Sequence, residues 1–374
     1  MRVLRWVALA GASAAAVAGA GLTAPAAFAQ PAHHSPFINL FHHTRLVGST
    51  VPNNGDINPY GVAVVRRSQG RLHRGDVLVS NFNAKTNLQG TGTTIVEVSP
   101  GGQVTQFAHI SASGLPGACP GGIGLTTALV VVHDWVIVGS LPSKDGSVAT
   151  SQAGCLLVLD SQGKVRETIS GHGINGPWDM TAVSGGPFAV LFVANVLNGT
   201  KAAKGAVVHH GTVLRLVLMF CDHRLPMLRA VTEVGSGFSE QSNATTFVNG
   251  PTGLGFGRNG ALYVADTGSN RITVIWNALF RRSSAGTGTV LTSGGWLDSP
   301  LGLAIAPNGD VLTVNGGNGR IVETSPEGTQ VATRFLDRSG SPPGSGALFG
   351  LAVAPHGAGL YYVDDAANTL RILN

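Results

Sequence analysis

The stretch Pro251–Phe256 (PTGLGF), followed after a turn by Leu262–Asp266 (LYVAD), decides the fold of this chain. Each half is a short apolar segment bounded by Gly, Pro or Asp, which is typical of two antiparallel strands joined by a tight turn. Two later copies of the phrase begin at Pro300 and Phe349. The copies start about 50 residues apart, a spacing that is typical of one propeller blade.

Three looser copies precede the clear ones, so six repeats follow one another. They begin at Pro59-Tyr60-Gly61, Pro120-Gly121-Gly122 and Pro177-Trp178-Asp179. Third and fourth strands follow each pair, and the sixth copy ends one strand short. Because the segment 37–47 has no repeat of its own, it can supply that strand. We therefore predict an all-β, six-bladed β-propeller of four-stranded antiparallel blades, with the ring closed by an N-terminal strand.

The repeats also give the domain boundaries. We predict a signal peptide over residues 1–29 and a single β-propeller domain over residues 30–374. The predicted blades cover approximately residues 58–110, 119–170, 175–235, 249–293, 299–338, and 347–374 completed by 36–48.

The N-terminal segment has the order of a secretory signal. Arg2 and Arg5 precede an apolar run, and Ala27–Ala29 (AFA) supplies the small residues of a cleavage site before Gln30. An uncleaved anchor helix is the alternative. We expect a secreted or periplasmic protein, with no stable membrane insertion after the signal is cleaved.

The composition excludes several classes of protein. Of the 374 residues, 43% are apolar, so the chain can form a large core and is not mainly disordered. The formal net charge of +5 is small and scattered, so we expect no nucleic-acid partner. We also expect a monomer.

Three cysteines are present, so at least one lacks an intramolecular partner. Cys119 precedes the inner strand of the second blade and Cys155 begins its third strand, which places both at the same rim. Cys221 follows a third strand and belongs at the opposite end. We predict a disulfide between Cys119 and Cys155, with Cys221 free.

The phrase from Pro251 to Ile272 closely resembles an NHL repeat, and the resemblance is specific from about Asn249 onward. NHL-type propellers look mostly like binding scaffolds. Related six-bladed families include metal-dependent lactonases, and a seven-bladed cousin is a lyase that opens cyclic antibiotics. The resemblance therefore implies a propeller used for binding, with an enzyme as the alternative.

Polar residues end the second strand of each blade, and in a propeller these positions share one rim of the channel. They are Asn81, Ser140, Asn195, Asp266, Asn315 and Asp364. One interpretation is a ring of groups around a polar ligand or cation. The other is that each side chain caps its own turn, as Asn and Asp commonly do.

Inserted loops distinguish the first three blades, at residues 82–93, 141–154 and 196–210. Long loops on one side of a rim are typical of a wall beside a binding site. Their cationic residues are Lys85, Lys144, Lys201, Lys204, His209 and His210. This half-rim favours an anionic or polar partner, unless the loops merely carry solubilising charge.

Aromatic residues and oxygen ligands give two further candidate sites. Tyr60, Trp178 and Phe349 could stack on a sugar or a planar ligand, or could instead fill the channel. The metal-binding Glu of the lactonases has no counterpart beside Tyr60. Asn175, Asp179 and Asp266 remain as candidate ligands for a rearranged calcium site.

The function we expect is an exported binding protein without catalysis or cofactor. It would recognise a small polar or anionic molecule, a glycan or a protein on the loop-bearing rim. The alternative is a metal-dependent lactonase-like hydrolase or lyase with calcium or another divalent cation. The groups most able to take part in that chemistry are Asn175, Asp179, His210, Asp266 and Asp364.

Overall fold

Six antiparallel sheets account for the six repeats, and the predicted all-β six-bladed propeller is confirmed. The computed structural model describes residues 35–221 and 224–374, so the predicted signal peptide lies outside the described residues. No helix in that part of the chain is long and apolar enough to cross a membrane.

The strands follow one another along the chain blade by blade. Strand β1 is Thr44–Ser49, and blade 1 consists of β2 (Ile57–Val64), β3 (Val77–Asn83), β4 (Thr94–Val98) and β5 (Val104–His109). Blade 2 consists of β6 (Leu125–Val132), β7 (Trp135–Ser140), β8 (Cys155–Leu159) and β9 (Val165–Ile169). Blade 3 has a fifth strand and consists of β10 (Gly176–Gly185), β11 (Phe188–Val196), β12 (Val208–Met219), β13 (Met227–Asn243) and β14 (Phe247–Asn249).

The second half of the ring is more regular. Blade 4 consists of β15 (Pro251–Phe256), β16 (Leu262–Asp266), β17 (Arg271–Ile275) and β18 (Thr289–Ser293). Blade 5 consists of β19 (Pro300–Ile305), β20 (Val311–Asn315), β21 (Arg320–Thr324) and β22 (Gln330–Phe335). Blade 6 consists of β23 (Leu348–Val353), β24 (Leu360–Asp364) and β25 (Thr369–Leu373), completed by β1.

Within residues 35–221 and 224–374, helical structure is confined to single turns in the connections. The α-helical turn α1 is Thr200–Ala203, and the 3₁₀ turns are Phe37–Leu40, Val148–Thr150, Thr267–Ser269 and Pro355–Gly357.

The ring is closed by the N-terminal strand, as predicted. Strand β1 pairs antiparallel with β25, from Thr44 opposite Leu373 to Ser49 opposite Thr369. The chain just before β1 is anchored to blade 5, where the buried Glu323 carboxylate accepts hydrogen bonds from the backbone N–H groups of Phe37 (2.6 Å) and Ile38 (2.8 Å).

The hydrophobic core lies mainly between neighbouring blades. Between blades 1 and 2, for example, Leu78 and Ile95 pack in one cluster with Val138 and Leu157, and all four are fully buried. The inner strands β2, β6, β10, β15, β19 and β23 contact one another around the central channel. Burial between sheets therefore positions the six inner strands, whose beginnings share one end of the channel.

The disulfide between Cys119 and Cys155 is confirmed, with Cα atoms 5.3 Å apart. It links the segment before the inner strand of blade 2 to the end of that blade's inserted loop. Cys221 is free and partly buried.

Candidate functional site

An apolar plug fills the channel at the end where the inner strands begin, which we call the closed end. Tyr60 stacks against Phe349 and Phe82, with ring centroids 4.1 and 4.6 Å away, and Trp178 lies 5.7 Å from Tyr60. Offset and tilted ring pairs of this kind stabilise packing beyond simple burial. The three aromatic residues that sequence reasoning singled out, Tyr60, Trp178 and Phe349, therefore contact one another.

Most of the plug comes from strands, and the inserted loop of blade 2 adds two residues to it. Its buried members are Tyr60, Phe82, Leu141, Val148, Trp178, Val196, Phe247, Val248 and Leu301. Leu141 and Val148 belong to the inserted loop of blade 2, whereas Phe82 lies in β3 and Val196 ends β11. Strand residues and one inserted loop therefore close the channel at this end.

The asparagines that end second strands bind the loops leading into their own inner strands. Asn81 Nδ2 donates to the carbonyl of Thr50 (2.9 Å), and Asn195 Nδ2 donates to that of Gly173 (2.9 Å). Asn315 makes the same kind of bond in blade 5, at 2.7 Å. All three side chains are fully buried, so their amides hold turns in place.

The two aspartates at the equivalent positions are also occupied within their own blades. Asp266 Oδ2 accepts a hydrogen bond from Arg271 Nε at 2.7 Å. Asp364 Oδ1 accepts from the backbone N–H of Ala367 at 3.2 Å, and Arg371 Nε lies 3.9 Å from Oδ2. Burial raises the pKa of Asp364. Neither carboxylate is brought next to Asn175 or Asp179 in a metal site.

The remaining candidates at this rim lie on the inserted loops, outside the plug. The exposed lysines there are Lys85, Lys144, Lys201 and Lys204, and His210 is exposed beside them. Lys201 Nζ donates to the carbonyl of Ser151 (3.2 Å). His210 Nδ1 lies 3.0 Å from the carbonyl oxygen of Asn198, and Asn175 Nδ2 donates to Asn198 Oδ1 (2.6 Å). The rim is therefore cationic but has no open channel beneath it.

A cavity remains in the other half of the channel, toward the end where the inner strands finish, which we call the open end. Its volume is about 350 Å³, and all six inner strands contribute to its walls. Most wall residues are Val, Leu, Ile, Ala and Gly, and the polar side chains are those of Arg66, Thr127, Asp179 and Thr181. Although most lining side chains are apolar, the wall surface that faces the cavity is mainly polar. A concave cavity with a few convergent polar side chains is a usual place for a small-molecule site.

Asp179 is the carboxyl group in the wall of this cavity. It follows Trp178 directly, so it lies at the plug side of the cavity, and only 8% of the residue is exposed. Its Oδ2 accepts a hydrogen bond from the backbone N–H of Leu254 at 2.8 Å. Burial raises the pKa of Asp179 to about 7, against the opposing effect of the backbone N–H groups of Leu254 and Met180. Near neutral pH this group can therefore both accept and donate a proton.

The repeat explains why Asp179 stands out. Four other inner strands have glycine at the corresponding position, namely Gly61, Gly253, Gly302 and Gly350. A Cβ atom at Gly302 would overlap the carbonyl oxygen of Phe349 on the next blade. Blade 3 has a side chain at this level and extends it to the backbone of blade 4, which places an ionisable group where four blades have none.

A second cavity of about 780 Å³ adjoins the first at the open end and shares Arg66, Phe256 and Ile305 with it. Its exposed charged residues are Arg66, Arg74, Arg258 and His356, which lie between the first and second strands of blades 1, 4 and 6. Sequence reasoning missed this cationic mouth because its residues are scattered over three blades and form no periodic pattern.

The donor groups in the channel do not fit the divalent cation that a lactonase would imply. Calcium is bound by six to eight oxygens, usually from several carboxylates. Asp179 is accompanied in the cavity wall by the hydroxyls of Thr127 and Thr181 and by no second carboxylate. Among the described residues, the cluster of His, Asp and Glu that could hold a metal lies elsewhere, at His73, Asp76 and Glu97. We therefore derive no step through a metal.

Solved structures with this fold come from proteins of low sequence identity. A gluconolactonase from Xanthomonas campestris matches with a TM-score of 0.52 and 14% identity, over 87% of this chain and 86% of that chain. A Thermus thermophilus protein assigned as an oxidoreductase (glucose dehydrogenase) matches with a TM-score of 0.54 and 15% identity, over 89% and 99%. An inactive variant of virginiamycin B lyase from Staphylococcus aureus matches with a TM-score of 0.50 and 16% identity, over 88% and 85%. No family model and no curated protein matches the chain.

These neighbours contradict the expected function. We expected a binding protein without catalysis, whereas the similar solved structures include a gluconolactonase, a lyase and a protein assigned as a dehydrogenase. The expectation rested on the loops and lysines of the rim, where the structure has an apolar plug instead of an opening. The alternative of an enzyme agrees better with the neighbours. At these identities the likeness establishes the six-bladed architecture, and the NHL pattern remains a resemblance.

Proposed function

We propose that this protein is a hydrolase or lyase whose proton transfer takes place in the cavity of the open end, with Asp179 as the general acid or base. The observation that carries this proposal is a buried carboxyl group with a pKa of about 7 in the wall of a small cavity to which all six inner strands contribute. General acid–base groups are most effective when their pKa lies near the working pH. The lactonase and the lyase among the structural neighbours support the two reaction types.

In a hydrolase, the Asp179 carboxylate would take a proton from a water molecule whose oxygen attacks the carbonyl carbon of a lactone or ester. The carbon–oxygen bond to the alkoxy group then breaks, and the proton passes from Asp179 to the leaving oxygen. In a lyase, the carboxylate would take a proton from the carbon next to a carbon–oxygen bond. The released electron pair then forms a double bond as the oxygen leaves.

The geometry suits a group that changes its protonation state. The hydrogen bond from Leu254 fixes one oxygen of Asp179, and burial of the carboxyl group raises its pKa. A carboxyl group held in this way is oriented before a substrate arrives. This avoids reorganisation during the reaction.

The test is a screen of the mature protein against lactones and esters, with release of protons as the readout, and against lyase substrates, with absorbance of the new double bond. Asp179→Asn should lower kcat/KM by about 10²- to 10⁴-fold, which is the usual contribution of a general acid or base. The wild-type rate should also change with an apparent pKa near 7, and this dependence should be absent from the variant.

Asp364→Asn is the matched control, because it neutralises another buried carboxyl group with a raised pKa, but at the closed end. It should keep the activity. Full activity of Asp179→Asn, or loss of activity in a folded Asp364→Asn protein, would place the chemistry elsewhere.

We also infer that the protein works outside the reducing cytosol. The disulfide between Cys119 and Cys155 supports this compartment, since structural disulfides persist mainly in exported proteins. Mass spectrometry of the protein from the medium or the periplasm should find Gln30 at its N-terminus. An intact N-terminus on a cytosolic protein would contradict export.

A further inference from the structure

We propose that the substrate of this cavity carries an acidic group, a carboxylate or a phosphate, which Arg66, Arg74 and Arg258 bind at the mouth while the reacting part lies beside Asp179. The inference rests on the proposed function and names the substrate class for the same site. It is based on the arginines at the open end and on the two adjoining cavities there.

The first observation is the convergence of cations on one concave surface. Arg66 and Arg74 lie between β2 and β3 of blade 1, and Arg258 lies in the turn between β15 and β16 of blade 4. His356, in the 3₁₀ turn of blade 6, adds a fourth group that can be cationic. No carboxylate is among the described residues that line this cavity. A cleft lined by one sign of charge concentrates ligands of the opposite sign.

The second observation is that, within the described ranges, these three guanidinium groups form no ion pair and no side-chain hydrogen bond, and all three are exposed. Arg67, between Arg66 and Arg74 along the chain, is by contrast paired with Asp134 at 2.6 Å. The donors at the mouth are therefore free, and guanidinium groups match the paired oxygens of carboxylates and phosphates.

The third observation is the continuity between the mouth and the cavity that holds Asp179. Arg66, Phe256 and Ile305 line both spaces, so the mouth adjoins the cavity that holds Asp179. The inner cavity is small, so the inner part of the ligand should be small. Lys201 of the third inserted loop lines a separate cavity of about 240 Å³ beside Val148 of the plug, and it lines neither cavity of the open end.

Isothermal titration calorimetry with two anionic probes, citrate and inorganic pyrophosphate, tests the inference. The wild-type protein should bind citrate or pyrophosphate, less tightly as salt is added, because exposed charges are screened. The triple variant Arg66→Gln, Arg74→Gln, Arg258→Gln should bind that anion about tenfold more weakly or worse. Binding of citrate but not of pyrophosphate would indicate that the substrate carries a carboxylate. Binding of pyrophosphate but not of citrate would indicate that it carries a phosphate.

The matched control is Lys85→Gln, Lys144→Gln, Lys201→Gln, which removes the same number of charges from the rim of the closed end. It should bind the anion as the wild type does. Wild-type affinity in the arginine variant, loss of binding in the lysine variant, or no binding of either anion by the wild type would overturn the inference.

The failures of the two proposals can be told apart, because anion binding is measured without turnover. If the wild type and Asp179→Asn both bind the anion through the arginines but no substrate is converted, the acidic ligand stands and the enzyme proposal fails. If the wild type converts substrates and the arginine variant keeps the same kcat/KM for all of them, the enzyme stands and the acidic substrate is wrong.

Discussion

The two ends of the channel are built from the same repeat and yet have opposite surfaces. At the closed end, Phe82 from strand β3 and Leu141 and Val148 from the inserted loop of blade 2 pack onto the inner ring and fill the channel. At the open end, the connections leave a cavity and surround it with Arg66 and Arg258. Loop length alone therefore does not locate a site in a propeller. The polarity of the loop residues that reach the channel determines which end is accessible.

The largest expected effect on stability comes from removing packing at the closed end. Tyr60→Ala at the closed end should lower the free energy of unfolding by about 3–5 kcal/mol, because it removes a buried ring from between Phe82 and Phe349. Val62→Ala, two residues further along the same strand, removes a half-buried side chain beside the cavity and should cost about 1 kcal/mol. Denaturant unfolding measures both. Equal losses would mean that the two ends are packed equally tightly.

The pH dependence of stability tests the burial of Asp179. Its pKa is raised from 3.8 to about 7 in the folded protein, so the native state retains a proton that the unfolded chain releases above pH 4. This contribution is fully present below pH 4 and is lost as the pH rises to 7. The stability of the wild type relative to Asp179→Asn should therefore fall over that range, by at most about 4 kcal/mol.

Urea unfolding of both proteins at several pH values between 4 and 8 measures this difference. Asparagine can still accept the hydrogen bond from Leu254, so the substitution mainly removes the charge. Parallel stability curves would show that the wall around Asp179 is well hydrated and that the open cavity extends further than the structure indicates.

The smallest effect is expected at the anchor of the N-terminal segment, beside the open end. Glu323→Gln replaces one of the two oxygens that accept from Phe37 and Ile38 with an NH₂ group, and should cost about 1–3 kcal/mol. The control is Glu97→Gln in blade 1, whose partner is the exposed His73, and it should cost less. Denaturant unfolding and limited proteolysis near Phe37 measure the effect. Unchanged proteolysis would show that other contacts hold the segment.

Much of the fold could be predicted from the sequence because its signal is local and repeated. The phrase at Pro251 predicted the strands of one blade, and its copies predicted a ring of six blades. The incomplete last copy indicated that an N-terminal strand closes the ring, as it does. The pairing of Cys119 with Cys155 followed from placing both residues at one rim, and the structure confirms it.

The candidate site was harder to predict from the sequence than the fold, because the site depends on contacts between blades. Whether Tyr60, Trp178 and Phe349 face a ligand or one another depends on the geometry of the ring, which no single repeat encodes. The position of Asp179 carried a signal: alignment of the repeats places it where Gly253 and Gly302 stand in later blades. No sequence signal distinguished the arginines of the mouth, since isolated arginines in turns are usual at any protein surface.

The pairing of β1 with β25 determines the order in which this protein can fold. The first of the described strands is hydrogen-bonded to the last of them, so the ring cannot close until β25 has been synthesised. Until then β1 lacks its partner strand and is prone to pair with another chain. Contacts between residues so far apart in sequence also form slowly. Closure of the ring is therefore the late step of folding, and the period before it is when this protein is most exposed to aggregation.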